Sequence, residues 1–249
     1  SPMSRGLGDV YKRQLQSIAD KHGNNRAAGT SGYQASVDYL TATLEEAGYT
    51  VAQQPFTFNG YIEVSPPVLA LFDNSGEYPI ELRFKEAEYA PLKFSGSGDV
   101  TAAVQPIDIQ DPATISPNSS TSGCEMSDFS SFEAGNIALM QRGVCPFAVK
   151  VANAVEAGAE AVIIFNEGQP GRTELFTGTL GEAVAPDIPV LATSYAIGLE
   201  LLTESQKSEE VTLRVGAETE AGKIQTVNVF AETHSGDPNN VVMVGGHFD

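Results

Sequence analysis

The chain is short of basic residues, of cysteine, of histidine and of long apolar runs. Its 249 residues carry 14 Lys plus Arg against 32 Asp plus Glu, a formal charge of −18. Phosphate backbones and anionic membranes are held by clustered Lys and Arg, so this balance argues against nucleic acid and against a membrane surface as partners. An acidic surface of this kind fits a soluble, secreted protein. No run approaches the ~18 apolar residues of a membrane-spanning helix. Cysteine is confined to Cys124 and Cys145, and histidine to His22, His234 and His247. What is present is a globular composition, 41% hydrophobic and 18% charged. At this length it is enough for one large domain or two smaller ones.

Residues 1–14, SPMSRGLGDVYKRQ, lack an apolar stretch of the signal-peptide kind and show no hydrophobic period. They read as a non-native leader, similar to a translated adapter sequence. The chain then halts just past an apolar strand pattern, so the reading expects a piece of a longer protein. A short helix is expected over 15–23. Ser31 and Gln34 fit a capping box, with Ser31 as N-cap of a helix whose apolar face is Val37, Leu40, Thr41 and Leu44. Gly48 suits the left-handed position that ends it. YTVAQQPFTF (49–58) reads as a strand that Pro55 confines to an edge or a bulge. Residues 63–94 read as a connecting region holding two short strand-like pieces, Val68 to Phe72 and Ile80 to Phe84. Residues 111–123 are a loop by composition. Within it Asn118-Ser119-Ser120 is a glycosylation sequon, meaningful in a secreting eukaryote.

From Asn136 the pattern is regular. NIALMQ and AVIIF are strands, and between them CPFAVKVANAVEAGA is a helix with Ala148, Ala152, Val155 and Ala159 near one face. Strand, helix and strand of these lengths make a right-handed βαβ unit. IPVLATS (188–194) is a further strand, Tyr195 to Glu204 a helix, and 211–215 and 224–232 two more strands. The apolar run VVMVGG (241–246) reads as a buried strand returning antiparallel to the preceding one. His247 and Asp249 follow it, two apart, so an extended chain turns both side chains to the same side. A His beyond the carboxyl end of a strand, with a carboxylate to set its ring, is the beginning of a metal site. It is one ligand of the three or so that a catalytic zinc takes from protein.

An even pair of cysteines in an acidic soluble protein reads most simply as a disulfide. Free thiols and a metal site are the alternatives, and no histidine lies near Cys124 and Cys145 in sequence to favour the metal. Arg142, Lys150 and Asn153 form no nucleophile–base arrangement and read as structural or as a solvated face. His22 and His234 sit in polar turns and read as solvent-exposed.

GCEMSDFSSF followed by RGVCPFAVKVANAVEAGAEAVIIFNE (142–167) resembles the protease-associated (PA) domain over roughly 95–215. That family's fold is a small open β-barrel or sandwich with flanking helices, its two cysteines are commonly bridged in secreted members, and it binds peptides or partners without chemistry of its own. Upstream, Arg26, Ala28-Gly29-Thr30 and Gly32, a helix and a Gly-Tyr-x-Val strand resemble the opening of the co-catalytic two-zinc aminopeptidases and carboxypeptidases (peptidase family twenty-eight). Downstream, NVFAE, a turn and VVMVGGHFD resemble the same family's approach to its first metal-ligand motif.

The resemblance implies an α/β fold: the start of a mixed-sheet zinc-peptidase domain with an inserted PA domain. Residues 15–62 would open the peptidase domain, 63–94 connect, 95–216 form the PA domain and 217–249 return. It implies a secreted aminopeptidase acting on peptide substrates with two zinc ions. His247 would ligate one of them, and Asp249 would accept the bond from the other ring nitrogen. The other ligands and the general base would lie outside these residues, leaving this stretch inactive alone. The competing reading is a non-catalytic PA-domain interaction module of a receptor or sorting protein. A subtilisin-type host is disfavoured, since no Asp, His or Ser motif of that family borders the domain.

Overall fold

Ile137–Gln141 and Ala161–Phe165 are each buried at all five positions, which is possible only for strands covered on both faces. They form the middle of the larger of two units in the computed structural model. The structure describes residues 13–73, 80–182, 186–207, 211–237 and 239–248. One unit comprises residues 61–221, and the other residues 1–60 together with 222–249.

In chain order the strands are β1 (Tyr49–Asp73), β2 (Ile80–Arg83), β3 (Tyr89–Pro91), β4 (Gly98–Pro106), β5 (Ile137–Gln141), β6 (Ala161–Phe165), β7 (Val190–Thr193) and β8 (Val211–Thr233). The helices are α1 (residues 13–21), α2 (Ser31–Glu46), α3 (Phe147–Glu156) and α4 (Tyr195–Ser205). The sheet order is β2-β1-β8-β4-β5-β6-β7-β3. The β4/β5, β5/β6 and β6/β7 pairs are parallel, with Val104 opposite Ile137, Ile137 opposite Ala161 and Val162 opposite Val190. The flanking β1/β2, β4/β8 and β3/β7 pairs are antiparallel.

Period-two alternation divides the core of the larger unit between the sheet's two faces. Ile137, Leu139, Ile163, Phe165 and Leu191 pack with Ile197 and Leu201 of α4. Ala138, Met140, Val162, Ile164 and Val190 pack with Val151 and Ala154 of α3. The parallel centre is therefore a sheet between two helices, as the βαβ pattern predicts.

The structure moves several elements. Helix α2 is capped by Thr30, whose hydroxyl accepts from Tyr33 N at 3.3 Å, one residue before the expected Ser31. Ser31 Oγ instead lies 2.9 Å from His22 Nδ1. Gly48 does take the left-handed conformation expected at the helix end, with φ +85°. On α3 the buried residues are Lys150, Val151 and Ala154, while Ala152 and Val155 face solvent. The face is rotated from the expected one because a lysine occupies its centre.

Strand β1 runs unbroken through Pro55, Pro66 and Pro67 and takes in residues 63–73 of the expected connecting region. Its register with β2 runs from Ala70 to Asp73, beyond all three prolines, and a proline is tolerated in a strand where its nitrogen faces away from a ladder. The two strands expected at 211–215 and 224–232 are one, β8, whose ladder to β4 reaches Ala217. Residues 241–248 are irregular rather than a buried strand, and Val241, Val242, Met243 and Val244 are 70%, 89%, 86% and 90% exposed. A strand needs neighbours to satisfy its backbone and cover its faces, and among the described residues none pairs with this run.

Candidate functional site

In the unit made of residues 1–60 and 222–249, the loop before α2 is built to meet the His247 segment. Asn25 Oδ1 accepts from Ala27 N at 2.8 Å, and Thr30 N donates to Ala27 O at 3.1 Å, which folds the loop tightly. Gly29 sits at φ +86°, and a Cβ there would overlap Ile224. A Cβ on Gly32 would overlap the Asn25 carbonyl. The small residues of the Arg26–Gly32 stretch are thus demanded by close packing.

Arg26 Nη1 donates to the Phe248 carbonyl at 2.6 Å. The Phe248 ring stacks on Tyr33 with centroids 5.1 Å apart and planes inclined by 25°. The Tyr33 hydroxyl donates to Val227 O on β8 at 2.7 Å. Beside them lies a cavity of about 650 Å³, lined by Tyr33, Phe56, Phe58, Thr226, His247 and Phe248 among others. The Thr226 hydroxyl is buried there without a hydrogen-bond partner. His247 is exposed at this cavity. Asp249 lies outside the described residues.

Zinc, the metal that the resemblance implies, is tested by the donors present. His247 offers an imidazole suited to it. Among the described residues, however, no three of His, Cys, Asp or Glu converge. The described residues therefore do not complete a zinc site. His22 is partly buried, and His234 is exposed with Nδ1 3.1 Å from Thr50 Oγ1.

The larger unit holds the cysteines. Cys124 and Cys145 are bridged, with Cα atoms 5.9 Å apart. Beneath the bridge the fully buried Lys150 donates to Ser122 O, and its Nζ lies 3.7 Å from Cys124 Sγ. Burial, the largest cause, lowers its pKa to about 8 against the pull of Asp128, Glu167 and Asp108. Asn153 Nδ2 donates to Gly123 O at 3.1 Å. The Arg142 guanidinium lies over the Phe176 ring, 4.9 Å from its centroid. All three side chains are held in structural contacts, with no nucleophile–base pair among them.

Sequence reasoning passed over Gln141 and Glu167, which end β5 and follow β6. Gln141 is buried, accepts from Ser120 Oγ at 2.9 Å, and donates to Gln110 O and Glu167 O at 3.1 Å each. Glu167 is buried against Arg172 and accepts from Asn118 N at 3.0 Å. Asn118, the sequon residue, has its side-chain oxygen on Arg172 Nη2 at 2.6 Å. These contacts close the loops at the carboxyl ends of the parallel strands. A polar residue at a strand end carries no local signal of such a partner. Beside them a cavity of about 480 Å³ is lined by Ile109, Asp111, Gln141, Tyr195 and Leu199 among others.

Residues 108–201 match the PA domain family. An aminopeptidase of Pseudomonas aeruginosa is 43% identical over 252 aligned residues, taking in 100% of this chain and 45% of the relative. A Mycobacterium tuberculosis protein named a probable lipoprotein aminopeptidase is 33% identical over 241 residues, 96% of this chain and 43% of the relative. Among solved structures, an aminopeptidase from Aneurinibacillus sp. strain AM-1 aligns with a TM-score of 0.58 at 26% identity, over 88% of this chain and 47% of that one. A zinc aminopeptidase from Bacillus subtilis aligns with a TM-score of 0.50 at 20% identity, over 86% and 44%, a likeness of fold. The chain spans under half the length of the curated relatives it matches.

Proposed function

We infer that the chain is part of a zinc-dependent aminopeptidase that removes N-terminal residues from peptides. The observation that carries this is the 43% identity to the Pseudomonas aminopeptidase, which extends over the whole chain instead of stopping at the PA domain. An isolated interaction module would share residues 108–201 and lose the flanks. The whole enzyme would hold two zinc ions, with His247 a ligand to one. Asp249 would accept the hydrogen bond of the other imidazole nitrogen and so set its tautomer. Bound zinc supplies Lewis acidity at the scissile carbonyl and a water of lowered pKa. The remaining ligands and the general base would come from outside these residues.

The protein would be secreted. Among the described residues no helix is long and apolar enough to cross a membrane, and the lipoprotein name of the mycobacterial relative is compatible with an extracellular place. The PA unit would take a protein or peptide partner or shield the active site.

The test is leucine-anilide hydrolysis by the full-length protein. A chelator should abolish it and zinc restore it. His247→Ala should lower kcat on the order of 100-fold or more, as expected for loss of a group that holds the metal. Full activity in His247→Ala would remove His247 from the site, and activity indifferent to chelator would remove the metal.

A further inference from the structure

A buried charge lies beside the disulfide of the larger unit. Lys150 is completely buried, donates to Ser122 O, and has its Nζ 3.7 Å from Cys124 Sγ. We propose that the Cys124–Cys145 bridge is a thiol-exchange site with a fixed direction: a small thiol bonds to Cys145, and Cys124 leaves as a thiolate held by Lys150. The step balances without an outside oxidant. The thiol first gives its proton to water. Its electron pair then forms a new S–S bond to Cys145 Sγ, the Cys124–Cys145 bond breaks, and that pair goes to Cys124 Sγ. One disulfide replaces another. The proposal is independent of the zinc-peptidase reading.

Two observations set the direction. The first is the stability of the leaving sulfur. A sulfur departs faster the lower its thiol pKa, and a lysine ammonium beside a thiol lowers that pKa from about 8.5 into the range of about 3.5–7.5. Lys150 is charged at pH 7, because burial lowers its pKa only to about 8 and the carboxylates of Asp128, Glu167 and Asp108 help it keep its proton. Cys145 has a rival source of positive charge in the N-terminus of α3. It stands outside that helix, before the N-cap Pro146, and a helix end carries only about half a unit charge. The second observation is the approach. Glu125, next to Cys124, is exposed and Asp128 is half-buried, and both repel an incoming thiolate. Cys145 is half-buried between the exposed and uncharged Val144 and Pro146. The loop that carries Cys124 is also held by bonds other than the bridge. Ser122 Oγ donates to Ile107 O at 2.5 Å, Val144 N to Ser120 O at 3.0 Å and Asn153 Nδ2 to Gly123 O at 3.1 Å. Cys124 therefore stays on Lys150 once the bridge opens, in place to attack the Cys145 adduct and close the bridge again.

The test exposes the full-length protein briefly to glutathione, quenches with acid and locates the adduct by peptide mass spectrometry. The adduct should sit on Cys145 in at least about 10-fold excess over Cys124, and Lys150→Met should bring the two towards parity. Where Lys150→Met does not fold, the single variants Cys145→Ser and Cys124→Ser carry the comparison. Peptide-resolved alkylation against pH should then place the remaining Cys124 thiol at least about one pH unit below the remaining Cys145 thiol. An adduct shared equally, an adduct favouring Cys124, or no adduct at either cysteine would overturn the proposal. So would an excess on Cys145 that survives in folded Lys150→Met, or a Cys124 thiol no more acidic than that of Cys145.

Discussion

Lys150 shows what a single residue can hide. Its position within an amphipathic stretch marks it as polar, so the apolar period places it outward and turns the predicted face of α3 towards Ala152 and Val155. The structure buries it completely and gives its ammonium to Ser122 O. No local pattern reveals such a lysine, because its partner is a carbonyl 28 residues away. The consequence is a pH dependence. Burial lowers the folded pKa to about 8 from 10.5, so above about pH 8 the unfolded chain binds more proton than the folded one. Stability should therefore rise with pH between about 8 and 10, by up to roughly 3 kcal/mol from this group. Tyr61 and Tyr195, whose pKa values burial raises, work the opposite way at the alkaline end. The parent minus Lys150→Met difference in denaturant midpoint isolates the lysine. It should move in favour of the parent from pH 7 to pH 10. A flat difference would mean that the amine reaches water.

Among elements, the ones legible in sequence were those whose burial is two-sided and local. β5, β6, β7 and α4 fall where unbroken apolar runs and the helical period put them, because a strand buried on both faces needs no knowledge of its partner to be recognised. The run at 241–246 has the same apolar signature but no neighbours among the described residues, and it is irregular. Composition records a capacity for burial, whereas a ladder requires a second chain segment. The long strands β1 and β8 read as separate pieces in the sequence for the converse reason. Proline and glycine look like breaks, yet β1 runs through Pro55, Pro66 and Pro67 and β8 through Gly216 and Gly222.

Helix α4 offers a sharper test of element packing. A Cβ on Gly198 would overlap the base of the Phe165 ring on β6, so the helix lies flush on the sheet. In a free helix Gly→Ala gains about 1 kcal/mol. Here the overlap should outweigh that gain and cost a net ~1–3 kcal/mol, as overpacking does. Urea denaturation of Gly198→Ala should show a lower midpoint at an unchanged slope. A raised midpoint would show that α4 can lift away without loss.

At the scale of the whole chain, the candidate site is legible only in part. His247 announces itself through GGHFD. Arg26 and Tyr33, which hold the next residue, sit more than 200 positions earlier, at a separation of 222 for the Arg26 bond. The two units differ in a way that proteolysis can measure. The unit of residues 61–221 holds both apolar clusters and a disulfide closing a separation of 21 residues, a closure worth roughly 3 kcal/mol in the chain-entropy view. The unit of residues 1–60 and 222–249 contributes few residues to the core, chiefly Ala19, Tyr33 and Val37, and exposes Phe56, Phe230 and the run Val241 to Val244. Local opening follows the shortage of buried apolar contacts. Thermolysin, which cuts beside apolar residues, should therefore attack the 249-residue chain first at 241–244 and next in the exposed stretch of β1 around Phe56. A protected fragment covering most of 61–221 should persist and should shorten in lifetime when the disulfide is reduced. Simultaneous loss of both units would show that they unfold as one, and survival of the 241–244 bonds would show that the exposed run is covered in solution.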